Sequence, residues 1–270
     1  MHLSNIRLLD GAPLVSRSSV MIVSLLIAFS VPLSCTTAPA DDPECTLTYL
    51  DKCGKDIFLW TIANDQATAP SNAEELATHC ERQAESEACV RKRSAKCHTN
   101  IVKGFSRLLY DAIHEEYEQR CDPASDLHAS YLRMAPCINK MSPDMYNCTI
   151  RFIASTQSTT QSSHGKSLRE KIPRACCSFA AYVHCAETSG RKHCDEETAN
   201  FVKQYMEKTS GELLSFACGS YSAEADVCKK FLSGKPKSDE ELLANFQASG
   251  VKSMLGALSK LSESLQASRG

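Results

Sequence analysis

The chain of 270 residues carries 30 basic and 32 acidic side chains, so its formal net charge at pH 7 is −2. Nucleic-acid binding by counterion release needs a concentrated positive surface, so this near balance excludes a nucleic-acid binder driven by net charge. The 43% apolar fraction excludes general disorder, and 11 glycines with 10 prolines are too few for a collagenous chain. What remains is a packed protein with 15 cysteines.

The first 40 residues have the pattern of a secretory signal peptide. Two arginines precede an apolar run from Val20 to Val31, which is shorter than the about 20 residues that a membrane-spanning helix needs. The small residues in Ala38-Pro39-Ala40 predict cleavage after Ala40, and a cut just before Cys35 is the alternative. We therefore expect residues 1–40 to be removed and the product to be secreted and extracellular, without a membrane anchor.

Cleavage there leaves 15 − 1 = 14 cysteines, the even number that is typical of an oxidised secreted protein. The first six are separated by 8, 27, 9, 8 and 24 positions, and a second set of six by 11, 28, 9, 9 and 24. Five consecutive gaps agree to within three residues, which indicates two copies of one six-cysteine module. The sets are Cys45, Cys53, Cys80, Cys89, Cys97, Cys121 and then Cys137, Cys148, Cys176, Cys185, Cys194, Cys218, with Cys177 and Cys228 left over.

This spacing places module 1 at residues 41–136, module 2 at 137–233 and a cysteine-free tail at 234–270. An alternative alignment of the cysteines would place the end of the first module at Cys137. The pairing itself cannot be deduced, because 14 cysteines allow about 1.4 × 10⁵ connectivities. A true duplication predicts equivalent bridges in both halves.

The two leftover cysteines, Cys177 and Cys228, are then expected to bond to each other. Cys176 and Cys177 are adjacent and should bond to different partners.

Helical periodicity dominates the modules, and alternating β-branched runs are missing, so we predict an all-α, disulfide-rich fold. Each module should contain a helix, a mobile exposed loop (64–75 or 155–167) and further helices. Apolar residues at spacings of three and four should form one face of the helix that precedes the last cysteine of each module. They are Ile101, Phe105, Leu108, Leu109 and Ala112 in module 1, and Phe201, Val202, Tyr205, Met206, Leu213 and Leu214 in module 2.

The tail predicts an amphipathic helix or a pair of helices. Ser238 and Glu241 form a capping-box pattern, and apolar residues recur at helical spacing from Val251 to Leu265. Three roles stay open: packing on the protein's own core, an interface with a partner or a second copy, and binding to a lipid surface.

Motifs that carry chemistry are scarce. His79, His98, His184 and His193 each adjoin a cysteine, but a zinc site needs reduced thiolates at close spacing, so we expect no metal site. The pair Cys176-Cys177 is similar to the start of the C-C-x-x-H-D motif of secreted phospholipases, yet alanines stand at its histidine and aspartate places. No G-x-S-x-G, P-loop or G-x-G-x-x-G motif occurs. We expect no catalytic residue and no cofactor.

Two surface features remain. Arg91, Lys92, Arg93 and Lys96 form a basic cluster, which we interpret as a solvated helix face rather than a site for a polyanionic glycan. Asn147-Cys148-Thr149 is an N-glycosylation sequon, so we predict a glycoprotein modified at Asn147.

The run CVRKRSAKC (residues 89–97) and the run CCSFAAYVHCAETSGRKHC (residues 176–194) are each followed by an amphipathic helix that ends in a cysteine. This pattern, from Cys45 to Cys228, resembles the cysteine-rich helical secreted proteins of arthropods related to the haemolymph glycoprotein family and, more distantly, cysteine-rich secreted domains of nematodes. The resemblance implies an extracellular protein without known catalytic residues.

The leading hypothesis is a secreted, disulfide-stabilised binding or structural protein without catalytic activity, whose partner is an extracellular protein or glycan. The alternative is a carrier of small apolar ligands, with helices of both modules around a cavity. The lining residues would be Phe58, Trp60, Phe105, Leu108, Phe152, Phe179 and Tyr205. An enzyme with an unrecognised site is the third reading.

Overall fold

A computed structural model describes residues 42–63, 65–162, 167–232 and 250–267 with 241, 244, 246 and 247. This part of the chain contains nine α-helices, one short β-hairpin and two 3-10 turns, Pro43–Cys45 and Asn139–Met141. The helices are α1 (Leu47–Cys53), α2 (Ala73–Cys97), α3 (Asn100–Cys121), α4 (Asp126–Ile138), α5 (Ser142–Ser162), α6 (Leu168–His193), α7 (Glu196–Cys218), α8 (Asp226–Leu232) and α9 (Met254–Ala267). Strands β1 (Thr61–Ala63) and β2 (Gln66–Thr68) pair antiparallel. The fold is all-α and disulfide-rich, as predicted. The predicted signal peptide and the Ser238 cap lie outside the described residues.

Side-chain caps begin three of the five helices that are longer than 20 residues. The carboxylate of Asp195 accepts from the Thr198 amide at 2.7 Å at the start of α7, and Asn72 caps α2 in the same way. Ser167 and Glu170 form a capping box at α6. These caps satisfy amide groups that have no partner inside the helix, so a local side chain accounts for the start of each of these three helices.

Six of the seven disulfides match between the two halves, because each joins cysteines of the same rank within its own half. In each set of six, the first cysteine bonds to the fifth, the second to the fourth and the third to the sixth. The bridge between Cys177 and Cys228, expected from the count, is present. The matching pairs are Cys45–Cys97 with Cys137–Cys194, Cys53–Cys89 with Cys148–Cys185, and Cys80–Cys121 with Cys176–Cys218. This agreement supports the duplication, which stays a prediction.

Both predicted loops contain regular secondary structure. Residues 155–162 continue α5, with Thr156 and Thr159 buried and the Thr159 hydroxyl bonded to the Ser155 carbonyl. Residues 66–68 form β2, whose Ala67 is fully buried. The prediction of a loop is therefore wrong for residues 155–162 and 66–68, although Gln66 and Thr68 are exposed as expected.

The buried face of α3 also differs from the predicted one. Ile101, Phe105 and Leu108 are 47%, 37% and 52% exposed. The helix instead buries Val102, Tyr110, Ile113, Glu116 and Arg120, a row rotated by about one residue. The actual face includes a buried ion pair, so counting apolar residues alone selected the wrong phase.

One shared core includes residues of both halves, and α9 packs against it. Leu255 joins Leu50 and Ile57 of the first half, and Val251 packs with Ile153 of α5. Lys171 donates to the Ser264 carbonyl at 2.9 Å. Of the roles left open for the tail, packing on the protein's own core applies to its described residues. None of the described helices is long and apolar enough to cross a membrane.

Candidate functional site

An irregular segment after α1 carries aromatic side chains into the core. Gly54 caps α1, and the chain then bends rather than continuing as a helix. Ile57 and Leu59 are fully buried, and the Leu59 amide donates to the Tyr205 hydroxyl at 2.7 Å. The Trp60 ring meets the Tyr205 ring edge-on, with centroids 5.2 Å apart. This segment of the first half therefore packs directly on α7 of the second half.

A cavity of about 260 Å³ lies beside this contact. Its aromatic walls come from the irregular segment and from α5, α6 and α7. The Phe152 ring stacks on Tyr182 at 5.0 Å and lies edge-on to Phe179 at 6.5 Å. Aliphatic and methionine side chains of α3, α7 and α9 complete the walls. The apolar lining residues are Phe58, Trp60, Ile62, Leu109, Phe152, Phe179, Tyr182, Tyr205, Met206, Leu214, Met254, Leu255 and Leu258.

Most hydroxyl groups in the walls already have partners. Thr149 donates to the Met145 carbonyl at 2.9 Å, and Thr209 and Ser210 each donate to a carbonyl of α7 at 2.8 Å. Burial raises the pKa of Tyr182 to about 12 and also raises the pKa of Tyr205, so both phenols stay protonated at neutral pH. The interior therefore offers an uncharged, mainly apolar surface.

Charged lining residues lie where the cavity meets solvent. Lys55 and Lys252 both line the cavity and are both exposed. The carboxylate of Asp51, the third charged lining residue, accepts a hydrogen bond from the Ser253 hydroxyl. We call Asp51, Lys55 and Lys252 the rim.

Five of the seven residues predicted to line a cavity do so: Phe58, Trp60, Phe152, Phe179 and Tyr205. The prediction is wrong for Phe105 and Leu108, which lie on the exposed side of α3. Leu109 lines the cavity instead, because one residue along a helix rotates the side chain by about 100°. The rim lysines had no signal in the sequence, since they are brought together only by the packing of α9 on α1.

The histidines next to cysteines are dispersed rather than clustered. Burial lowers the pKa of His79 to about 3 and that of His98 to about 4. His184 pairs with Glu224, and His193 with Asp144. Within the described ranges, no three potential metal ligands come together. All fourteen cysteines after position 40 are in disulfides, so their sulfurs are not available as thiolates.

The basic cluster on α2 is divided by its own partners. Arg93 is buried and donates to the Cys45 carbonyl at 2.7 Å. Arg91 pairs with two carboxylates, one on α2 and one on α3. Lys96 pairs with Asp42 and Glu44. The cluster therefore does not present one free basic surface.

The side chain of Asn147 in the sequon is exposed on α5, which is compatible with a glycan at that position. Thr149 of the same sequon is buried, with its hydroxyl bonded inside the helix. A glycan at Asn147 would therefore have to be added before α5 packs.

No protein-family model matches the chain, and no curated protein or solved structure shows a match. The resemblance to arthropod haemolymph glycoproteins stays a prediction. The cavity and its rim are therefore the basis for a functional assignment.

Proposed function

We propose that this protein is an extracellular carrier of small apolar molecules, which bind in the cavity beside Trp60. One observation carries the proposal: aromatic side chains from both halves enclose about 260 Å³ whose polar wall atoms are mostly engaged with their own helices. Small-molecule sites are mainly apolar and have volumes of roughly 300–1,000 Å³, so this cavity of about 260 Å³ is slightly smaller than that range and suits a small ligand.

Secretion is part of the same proposal. Seven disulfides persist in an oxidising compartment, and the N-terminal pattern is that of a signal peptide. A covalent frame of this density suits a protein that works outside the cell, where dilution and proteases act on any unfolded fraction.

The experiment uses the single tryptophan of the chain as an internal probe. Because Trp60 lines the cavity, a neutral fluorescent ligand such as aminoanthracene should accept energy from it when bound. We expect saturable transfer with one binding site per chain, in oxidised protein secreted from eukaryotic cells. Absence of saturable transfer would contradict the proposal.

Two phenylalanine variants locate the binding. Phe179→Ala removes a wall of the cavity and should weaken aminoanthracene binding by about ten-fold, the equivalent of about 1.4 kcal/mol of lost contact. Phe105→Ala is the matched control, because that ring lies outside the cavity on the exposed side of α3. Equal losses in both variants would place the probe elsewhere. The denaturant midpoint of each variant shows that the fold is retained.

A second candidate function, protein binding, is favoured by the exposed apolar row on α3. Ile101, Phe105 and Leu108 are spaced by four and three residues, so they share one helix face. If this face binds protein, the purified chain should self-associate at high concentration, and Leu108→Ser should abolish the association. If light scattering shows that the wild-type chain stays monomeric at high concentration, protein binding by this face is excluded.

A further inference from the structure

The distribution of charge around the cavity indicates which apolar molecules it selects. We propose that the ligand is a single-chain amphiphile with a carboxylate headgroup, whose chain lies among the aromatic walls and whose carboxylate lies at the rim beside Lys55 and Lys252. This inference rests on the proposed carrier function and adds the class of ligand to it.

The first argument is the position of the charges. The lining residues that carry a full charge are Asp51, Lys55 and Lys252, so the rim holds two positive groups and one negative group, a net charge of 2 − 1 = +1. Lys55 and Lys252 are exposed, whereas the aromatic lining side chains Trp60, Phe152 and Tyr205 are buried. A ligand that matches this arrangement has an apolar chain and an anionic end.

The second argument is that the negative group of the rim is engaged. Asp51 accepts from the Ser253 hydroxyl, and the Ser253 oxygen accepts from the Gly256 amide at 2.9 Å at the start of α9. A methyl group added at Gly256 would lie 3.0 Å from the Asp51 carboxylate, so α9 is packed directly against this side chain. The role of Asp51 is therefore to hold α9 on α1.

The third argument is that the two lysines retain donor capacity. The Lys55 ammonium lies 3.8 Å from Asp56, which is longer than a normal hydrogen bond. Asp56 is also 3.8 Å from Arg82 and accepts from the Thr61 hydroxyl at 3.2 Å. Lys252 makes no ion pair within the described part of the chain. Both ammonium groups can therefore donate to a carboxylate that arrives with the ligand.

The two lysines come from elements far apart in sequence. Lys55 directly follows the glycine that caps α1, and Lys252 directly precedes Ser253 at the start of α9. Their common position at one opening depends on the Asp51–Ser253 contact between these elements. The rim is therefore a product of tertiary packing rather than of a local basic run.

The test compares three ligands that share one chain and differ in headgroup: decanoate, decanol and decylammonium. Each displaces aminoanthracene from the oxidised full-length protein, below its critical micelle concentration. We expect decanoate to bind about ten-fold more tightly than decanol, because two exposed ammonium groups attract its carboxylate, and decylammonium to bind more weakly than decanol. The preference for decanoate should shrink at high salt, because the rim is exposed to solvent.

Three variants assign the preference to the rim. Lys55→Gln and Lys252→Gln should each weaken decanoate binding by about three-fold and leave decanol binding unchanged. Lys52→Gln is the matched control: it removes the same charge from the exposed side of α1 and does not line the cavity. It should change neither affinity.

The outcomes separate the two proposals. If none of the ligands displaces the probe and no transfer from Trp60 is seen, the carrier function itself fails. If decanol binds as tightly as decanoate, or if Lys52→Gln matches the effect of the rim variants, the carrier function stands and the carboxylate inference is overturned.

Discussion

The two halves of the molecule share one pattern of disulfides but fill the space beside their long helices in opposite ways. In the first half, Arg120 is fully buried between α2 and α3, donates to Glu116 at 2.8 Å and donates to Gln83 at 2.6 Å. Gln83 lies three residues after Cys80. The residue three places after the equivalent cysteine of the second half, Cys176, is Phe179, which lines the cavity. Hydrogen-bonded polar side chains fill this space in the first half, whereas aromatic side chains line a cavity in the second half.

The halves also differ in the chain between their second and third cysteines. In the second half this stretch continues as the long helix α5, whereas in the first half α1 stops at Cys53 and an irregular segment follows. That segment supplies Phe58 and Trp60 to the cavity. The comparison teaches that the covalent frame sets the long helices, and that departures from the repeat between the bridges build the candidate site.

The largest expected effect comes from breaking the polar filling of the first half. Arg120→Met leaves Glu116 buried without its partner, so we expect the free energy of unfolding to fall by about 4 to 5 kcal/mol. Arg107→Met is the control on the same helix, since that side chain is 80% exposed and 3.6 Å from Asp111, and it should cost less than about 1 kcal/mol. Denaturant unfolding with intact disulfides measures both. The double variant Arg120→Met/Glu116→Met should recover most of the loss, and similar costs for the two single variants would refute the network.

The next prediction tests whether the two frames are equivalent. Removing Cys80–Cys121 or Cys176–Cys218 by paired alanine substitutions opens loops of 41 and 42 residues. Each change should cost about 4 kcal/mol, and the two costs should agree within about 1 kcal/mol. Only the second change should also weaken aminoanthracene binding strongly, because α6 and α7 supply Phe179 and Tyr205. Clearly unequal unfolding free energies would argue against equivalent frames.

The free energy of unfolding should depend on pH through a buried histidine of the first half, where the polar network lies. His79 is buried, and desolvation lowers its pKa in the folded state to about 3, compared with 6.5 in the unfolded chain. Above pH 6.5 both states hold neutral His79, so its full contribution to stability is present. As the pH falls below 6.5, only the unfolded chain binds the proton, and the free energy of unfolding should fall by about 3 kcal/mol between pH 6.5 and pH 4.

Variants isolate this contribution from the other titrating groups. His79→Gln should reduce the fall in unfolding free energy with pH but not abolish it, because burial also lowers the pKa of His98. His184→Gln, which changes an exposed side chain, should leave the fall as in the wild type. A wild-type slope that persists in His79→Gln would show that other residues cause it.

The smallest effects concern two glycines, one on α3 and one on α7. Gly211 has φ of +77° and ψ of 166°, at a kink beside the cavity-lining Ser210. This backbone conformation is accessible almost only to glycine, so Gly211→Ala should cost about 2 kcal/mol, and its methyl group would lie 3.1 Å from that of Ala112. Gly104→Ala is the control on α3, where no atom would contact the new methyl group, and it should stabilise the protein by up to about 1 kcal/mol. Thermal unfolding should show a lower melting temperature for Gly211→Ala and a higher one for Gly104→Ala. Changes in the same direction would contradict the kink.

Cysteine spacing and helical periodicity predicted the frame well, because both are local consequences of the fold. The all-α class, the helices that end at Cys121 and Cys218, and the bridge between Cys177 and Cys228 follow from them. The buried face of α3 did not follow, since it carries Glu116 and Arg120, which periodicity assigns to solvent. The two charges pair with each other four residues apart on α3, but their burial depends on α2, whose Gln83 accepts a hydrogen bond from Arg120.

Local composition predicted the wrong secondary structure where side chains hydrogen-bond to the backbone of their own helix. The Ser/Thr-rich stretch after Ile153 reads as a loop, yet the Thr159 and Thr160 hydroxyls donate to carbonyls four residues earlier and the helix continues. The hairpin at 61–68 has strands of three residues, too short to show alternation. Most aromatic residues of the cavity could be named from sequence, whereas its rim depends on long-range contact between α1 and α9.

The disulfides are distributed unequally around the cavity, because none of them reaches helix α9. No cysteine follows Cys228, so no disulfide links α9 to the rest of the protein. Non-covalent contacts hold α9 beside the cavity: the packing of Leu255, the Asp51–Ser253 hydrogen bond and the hydrogen bond from Lys171. Detaching α9 would therefore expose the cavity at the cost of a local opening, while every bridge stays closed. Under the proposed carrier function, ligand exchange would depend on α9 and resistance to global unfolding on the disulfide-bonded helices, so the exchange rate could change without loss of stability.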